Sequence, residues 1–176
     1  MAPQPMREGT ASKRVLLWSK RGTLSLCTLG IVVSVYALYV EIIAERVEGY
    51  TALCDIGHRM SCSRVLTSRW GRGFGLVDKV LSKDSILNQP NSIYGLAFYF
   101  FQATLAFNST FSGSVVQLVA AFLANLGSIY LGYILFAIIQ DICIICIATY
   151  ILNFFLLICS IVKVKSAYSA HAKKLR

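Results

Sequence analysis

The chain has 176 residues and a formal net charge of +9, with 56% hydrophobic residues and 14% charged ones. That balance excludes an ordinary soluble domain, in which about a quarter of the residues are charged. The surplus apolar surface has to face lipid, which places the chain among membrane proteins. No Pro/Gly/Ser-rich linker, internal repeat or low-complexity tract divides it, so one compact unit is expected.

A bilayer core roughly 30 Å thick needs about 17–25 residues of helix. Four segments meet that need, predicting an all-α membrane protein: a four-transmembrane-helix bundle with a lumenal loop, or cap, between helices 1 and 2. The first span is Leu24 to Ile43, with Glu41 near its end. It is too long for a cleaved signal peptide, and no small-residue cleavage site follows, so it reads as a signal anchor. The second, Ile93 to Phe107, is short and has to borrow a residue or two at its ends. The third is Val115 to Ile139, and the fourth lies within Asp141 to Val162. Aromatic residues cluster near several ends, as interfacial belts do. The expected organisation is a tail over 1–23, a transmembrane domain over 24–162 with a loop over 44–90, and a basic tail over 163–176.

Charge sets the orientation. The N-terminal tail carries Arg7, Lys13, Arg14, Lys20 and Arg21 against Glu8. The C-terminal tail carries Lys163, Lys165, Lys173, Lys174 and Arg176 with no acid. Both tails are expected in the cytosol, which agrees with an even number of spans. The loop over 44–90 then lies on the far side, its basic residues interspersed with Glu45, Glu48, Asp55, Asp78 and Asp84. The glycosylation sequon Asn108-Ser109-Thr110 falls on the cytosolic side. The terminal "KKLR" resembles a dilysine retrieval address of the endoplasmic reticulum, whose oxidising lumen permits disulfide chemistry. Spans three and four are joined only by Gln140 and Asp141. Asp141 suits an N-cap, so the fourth helix is expected to start at Ile142 or Cys143.

There are six cysteines. Cys27 and Cys159 sit among apolar residues of spans one and four and read as small packing side chains. Cys54 and Cys62 in the loop, and Cys143 and Cys146 at the mouth of span four, converge on one lumenal face. Cys-x-x-Cys serves metal binding or redox chemistry. A zinc knuckle would use Cys54, Cys62 and His58 between them, but zinc wants four tetrahedral ligands. In the redox reading, the helix N-terminus favours the nucleophilic thiolate. Cys143, Cys146 and Tyr150 are spaced i, i+3, i+7 and share one helical face. At a rise of about 1.5 Å per residue, Cys146 lies about 4.5 Å deeper than Cys143, and Tyr150 about 6 Å deeper again. Tyr150 by itself reads as an interfacial or packing tyrosine; its alignment with the cysteine pair puts a functional reading on an equal footing. The shallower Cys143 is reachable by a loop cysteine, while Cys146 faces the bundle. A substrate there is lipid-soluble; a quinone fits, because it takes the two electrons that a dithiol supplies. Asn91 precedes span two, so it is either an N-cap or a donor to a carbonyl that gains charge on reduction. The glycines of "WGRGFG" suit a loop lying on a membrane surface. They make no phosphate loop, since no P-loop lysine and serine follow. The basic residues suit membrane contact rather than nucleic acid.

Together "SRWGRGFG", "LNQPNS" and "CIIC" resemble the vitamin K epoxide reductase family, with elements of both vertebrate forms, over roughly residues 29–157. The resemblance implies thiol-dependent reduction of vitamin K 2,3-epoxide to quinone and of quinone to hydroquinone, which supports γ-glutamyl carboxylation. It assigns Cys143 and Cys146 as the catalytic pair. Cys54 and Cys62 become an electron relay from a lumenal thioredoxin-like oxidoreductase. Asn91 and Tyr150 become hydrogen-bond partners of the two ends of the naphthoquinone. Phe74 and Val65 line the pocket, and Trp70 anchors the loop at the membrane surface. No tightly bound cofactor or metal is implied, and coumarin-type inhibitors are implied as ligands. Leu66 departs from the family pattern, which often has an aromatic there, so the cap over the ring is expected to pack differently. Two other readings use the same thiols: a quinone-coupled oxidase that generates disulfides, and a non-enzymatic four-span metal carrier.

Overall fold

The computed structural model describes residues 5–174 except 58 and 81–84, with side chains over 14–172. His58, Asp84 and the lysine side chains of the dilysine sequence therefore lie outside the described residues. Six α-helices follow in order: α1 (Pro5–Arg46), α2 (Cys62–Leu66), α3 (Val77–Val80), α4 (Asn91–Phe107), α5 (Phe111–Tyr133) and α6 (Ile144–Lys174). No strand occurs among the described residues, only isolated bridges.

Among the described residues, three helical segments are long and apolar enough to cross a membrane: Arg14–Arg46, Phe111–Ile139 and Ile144–Ala172. Helix α4 has 17 residues. The helices start earlier than the apolar runs. α1 begins at Pro5 rather than Leu24 and passes through the described part of the expected N-terminal tail. Helical hydrogen bonding continues through polar sequence where nothing breaks it, so hydropathy marks a span and not a helix end. α6 likewise continues past Val162 to Lys174. Large apolar side chains such as Val32, Phe101, Ile129 and Phe154 point outward and are exposed, the surface a lipid-facing bundle presents.

α1 packs along α4 and α6, and α5 along α6. Close approach is local: a Cβ on Gly30 of α1 would lie 2.5 Å from the Tyr99 ring of α4. At one end of the bundle, Lys163 of α6 is 2% exposed and donates to the Leu105 carbonyl (2.6 Å) and Gln117 Oε1 (2.7 Å), tying α4, α5 and α6 together. The short α4–α5 connection is set by Asn108, whose Oδ1 accepts from the Thr110 N–H and hydroxyl. Thr110 in turn caps α5 by accepting from the Gly113 N–H.

The α5–α6 turn is longer than Gln140 and Asp141. A π-helical turn over Ile134–Ile139 ends in Gln140, whose φ is +57°. Asp141 caps nothing: its carboxylate pairs with Arg64 at 3.2 Å. The Ile142 N–H donates to the Arg59 carbonyl at 2.8 Å, which holds this stretch extended against residue Met60. α6 therefore starts at Ile144, and Cys143 stands before it as the cap. The Cys143 sulfur accepts from the Cys146 N–H (3.3 Å), and its carbonyl from the Ile147 N–H (3.0 Å).

The segment between α1 and α4 folds over this end of the bundle. Its Ser61 hydroxyl caps α2 by accepting from the Arg64 N–H at 3.3 Å. Two single 3-10 turns, Arg69–Gly71 and Gly73–Gly75, then form a roof.

Candidate active site

Four sulfurs form a chain across that end. The Cys54 and Cys62 thiols are neighbours, Cys62 also meets Cys143, and Cys143 meets Cys146. All are free thiols. The turn at Ala52–Asp55 holds Cys54, and Cys62 opens α2. The expected common helical face is corrected at one point: Cys143 is off the helix as its cap, and only Cys146 and Tyr150 lie on α6. The depth order survives, because a cap precedes the first turn.

The expected lowering of the thiol pKa is also corrected at Cys143. The neighbouring Cys146 thiol, together with burial, pushes the Cys143 thiol up. Cys62 is raised by its contact with Cys143 and by burial, and Cys54 is pushed up to about 12, chiefly by burial. Crowded, dry sulfurs cost more than the helix dipole returns.

Next to the chain lies a cavity of about 430 Å³, bounded by α1, α4, α5, α6 and the roof. Of the cysteines, Cys146 alone lines it. Tyr150 lines it one turn further along α6, and its hydroxyl has no hydrogen-bond partner among the described residues. Val65 and Leu66 reach it from α2, and Phe74 and Trp70 from the roof. Every pocket position singled out in the sequence is therefore gathered here, while Cys54, Cys62 and Cys143 stand outside the wall.

Asn91 is not an N-cap. Pro90 occupies that position, and Asn91 is the first residue of α4. Its Oδ1 accepts from the Phe74 N–H at 2.9 Å, and its Nδ2 donates to the Trp70 carbonyl at 2.7 Å. One side chain thus fixes both roof residues, and its second N–H remains for another acceptor. Phe74 has φ +58°, a left-handed conformation that a bulky residue holds only when its flanks are pinned. Its ring lies against Tyr94, with centroids 5.4 Å apart. The half-buried Trp70 ring lies on Gly75, where a Cβ would sit 2.2 Å from the ring, and so faces the cavity as well as the surface.

Among the described residues, one group could offer a metal three donors: Cys54, Asp55 and Cys62, whose donor atoms lie within 4.8 Å of one another. Asp55 is already used. It accepts from the Ala52 N–H (2.8 Å), the Ser63 N–H (3.2 Å) and the Ser63 hydroxyl (2.6 Å). Burial raises its pKa, but these bonds outweigh burial and lower it overall. The group serves as a lock on the turn that presents Cys54.

The sequence reading missed Asn153 and gave Glu41 no role. Asn153 lines the cavity and accepts from the Tyr99 hydroxyl at 3.1 Å while donating to Ser128 at 2.9 Å. Its signal was available: Cys146, Tyr150 and Asn153 are spaced i, i+4, i+7. Glu41 is an acid inside an apolar span that is 1% exposed.

The geometry agrees with the comparisons to known proteins. A family model described as the vitamin K epoxide reductase family matches residues 23–161. Vitamin K epoxide reductase complex subunit 1 of Rattus norvegicus is 47% identical over 149 residues, 84% of this chain and 92% of the relative. The Mus musculus protein of the same name is 47% identical over 141 residues, 80% of this chain and 88% of the relative. The chain belongs to the vitamin K epoxide reductase family and is an oxidoreductase.

Proposed function

We propose that the protein reduces vitamin K 2,3-epoxide to the quinone, and the quinone to the hydroquinone that γ-glutamyl carboxylation needs, using electrons from thiols. The carrying observation is that Cys146 alone among the cysteines lines the cavity and stands at the inner end of the four-sulfur chain. The Cys146 thiolate attacks the substrate, and Cys143 attacks the Cys146 sulfur of the adduct, so the S–S bond forms as the carbon–sulfur bond breaks. The two thiols lose two electrons and two protons, and the epoxide oxygen leaves as water. Cys62 then attacks the Cys143 sulfur of the Cys143–Cys146 disulfide and releases Cys146 as a thiol. Cys54 attacks the Cys62 sulfur of the mixed disulfide and releases Cys143, and a lumenal thioredoxin-like oxidoreductase reduces the resulting Cys54–Cys62 disulfide. Asn91 and Tyr150 donate to the two oxygens that gain charge; one such donor is worth about 2.7–4 kcal/mol. Phe74 and Val65 hold the ring, and Leu66 packs beside Val65 where coumarin-type inhibitors would also bind. Trp70, with Arg69 and Lys79 over its ring at 5.3 and 5.6 Å, anchors the roof at the membrane surface.

The protein sits in the endoplasmic reticulum membrane with both termini cytosolic, the roof lumenal and α4 as a fourth span. The four-span domain covers 24–162, flanked by the 1–23 and 163–176 segments. No tightly bound cofactor is needed, since the dithiol carries the electrons.

Purified protein incubated with vitamin K epoxide and a small dithiol is expected to form vitamin K quinone, one disulfide per product. No turnover, with tightly bound copper or zinc in the preparation, would favour a metal carrier. Turnover only in the direction of quinone-driven disulfide formation would favour the oxidase.

A further inference from the structure

The cavity roof is pinned from α4 and, opposite, from α1, and the α1 side has no role in the proposed reaction. Asn91 holds it to α4. Opposite, Arg72 lies between Trp70 and Phe74 in sequence and reaches α1. Its Nη2 donates to both oxygens of Glu45, at 2.7 and 2.8 Å, and its Nε lies 3.6 Å from Glu41 Oε1. Glu41 and Glu45 are one turn apart on α1, so both carboxylates face the same guanidinium. The two acids are not equivalent: the Glu45 side chain is 40% exposed, the Glu41 side chain 1%. A carboxylate that dry is retained at a cost unless a cation answers it. Its second oxygen accepts from the Ser92 hydroxyl at 3.4 Å, and Ser92 lines the cavity. Glu41 Oε1 has no hydrogen-bond partner among the described residues and is answered by the Arg72 cation at 3.6 Å.

We propose that Glu41 and Arg72 are positioning residues for the reaction: their ion pair, steadied by Glu45, holds the roof onto α1 and so sets Trp70 and Phe74 against the substrate ring. This rests on the cavity being the quinone site. The roof cannot hold itself. Phe74 is in a left-handed conformation, and the roof's internal hydrogen bonds are single turns, so its shape is imposed from outside: by α1 and α4, by the Gly73 N–H donating to the Gln89 carbonyl at 2.9 Å just before α4, and by the Tyr130 hydroxyl of α5 on the Phe74 carbonyl at 3.4 Å. Releasing the α1 side leaves the roof held by Asn91, the Gly73–Gln89 bond and Tyr130, all away from α1, and both rings can shift about them. The two thiols and Tyr150 lie on or beside α6 and stay in place, so weakened binding, rather than slowed chemistry, is the expected signature.

The test uses full-length protein carrying Trp18→Phe. Trp18 is 77% exposed, and its replacement leaves Trp70 as the sole tryptophan. Arg72→Gln is expected to raise KM for vitamin K epoxide, assayed with a small dithiol, at least about tenfold, with kcat within about twofold. Acrylamide should quench Trp70 fluorescence more strongly in that variant. Glu41→Gln should act in the same direction by a smaller factor, and Arg72→Lys should recover part of both readouts. Arg72→Gln combined with Glu41→Gln should be no worse than Arg72→Gln alone. Unchanged KM and quenching in Arg72→Gln, or a fall in kcat at constant KM, would overturn the proposal. If Arg72→Gln does not fold, Glu41→Gln and Arg72→Lys carry the same test. If even the parent protein turns over no epoxide, the functional reading fails while Trp70 quenching still decides the roof's attachment.

Discussion

The six cysteines form two groups that differ less in burial than in the backbone that carries them. Cys27 and Cys159 approach each other across α1 and α6, and both sit in the middle of regular helices. Of the other four, only Cys146 belongs to a long helix, in the first turn of α6. Cys54 is in a turn, Cys62 begins a five-residue helix, and Cys143 is a cap. Thiol–disulfide exchange requires three sulfurs to come into line. A sulfur fixed to a long helix cannot move far, whereas one on a turn or cap can. The chain of sulfurs ends on its one rigid member, at the wall where a substrate has to be met in a fixed geometry. On the proposed relay, the outer sulfurs are those carried by a turn, a short helix and a cap, and the inner one is carried by a long helix.

The largest test of that division is at the inner end. Cys146→Ser is expected to abolish reduction of both epoxide and quinone with any electron donor, and Cys143→Ala likewise, since a small dithiol cannot replace the thiol that resolves the adduct. Residual turnover above a few per cent in Cys146→Ser would place the attacking sulfur elsewhere. Next come the donors around the ring. Tyr150→Phe and Asn91→Ala should each lower kcat by roughly 10²–10³, the usual cost of losing one donor to a developing oxyanion. Asn91→Ala should also free the roof, so its KM should rise where that of Tyr150→Phe does not.

The outer members give a milder signal. Cys54 has its thiol pKa pushed up to about 12 by burial, and below that value the reactive thiolate grows about tenfold per pH unit. Alkylation of Cys54 in the reduced protein should climb without a plateau from pH 7 to 9.5, read by mass spectrometry of its peptide. A plateau near the ordinary thiol pKa would mean that the turn opens freely. The smallest effects should come from the other group and the far end. Cys159→Ser should keep most of the activity. Asn108 should carry no glycan; a glycosidase-sensitive mass shift that Asn108→Gln abolishes would reverse the orientation.

What could be read from the sequence depended on whether local spacing carried it. Hydropathy located the helices, and Cys-x-x-Cys with Tyr150 located one wall of the cavity. The ends of helices were read less well. Asp141 looked like a cap, but its carboxylate goes to Arg64, 77 residues away, and the cap is a cysteine. Asn91 sits at a helix start by spacing, yet its amide is used on Phe74 and Trp70, which only the folded roof brings near. The raised thiol pKa values arise in the same way, from sulfurs that meet across the fold, so no helix-dipole argument from sequence could have found them. Glu41 could be seen as an acid in an apolar span, but its partner Arg72 lies in an irregular segment with no periodicity to place it.

The claim that the loop pair relays electrons and does nothing else is tested most directly by turnover of vitamin K epoxide in microsomes carrying both Cys54→Ala and Cys62→Ala. Two donors are compared, a thioredoxin-like protein and a small membrane-permeant dithiol. Cys143 is buried against Cys62 at the mouth of α6, outside the cavity wall. With both loop thiols cut back to methyl groups, a small dithiol is expected to reach it and a folded protein is not. The double variant should lose activity with the protein donor and keep a substantial part of it with the small one. Loss with both donors, in a variant that is still folded, would contradict the relay and make the loop cysteines part of the substrate site.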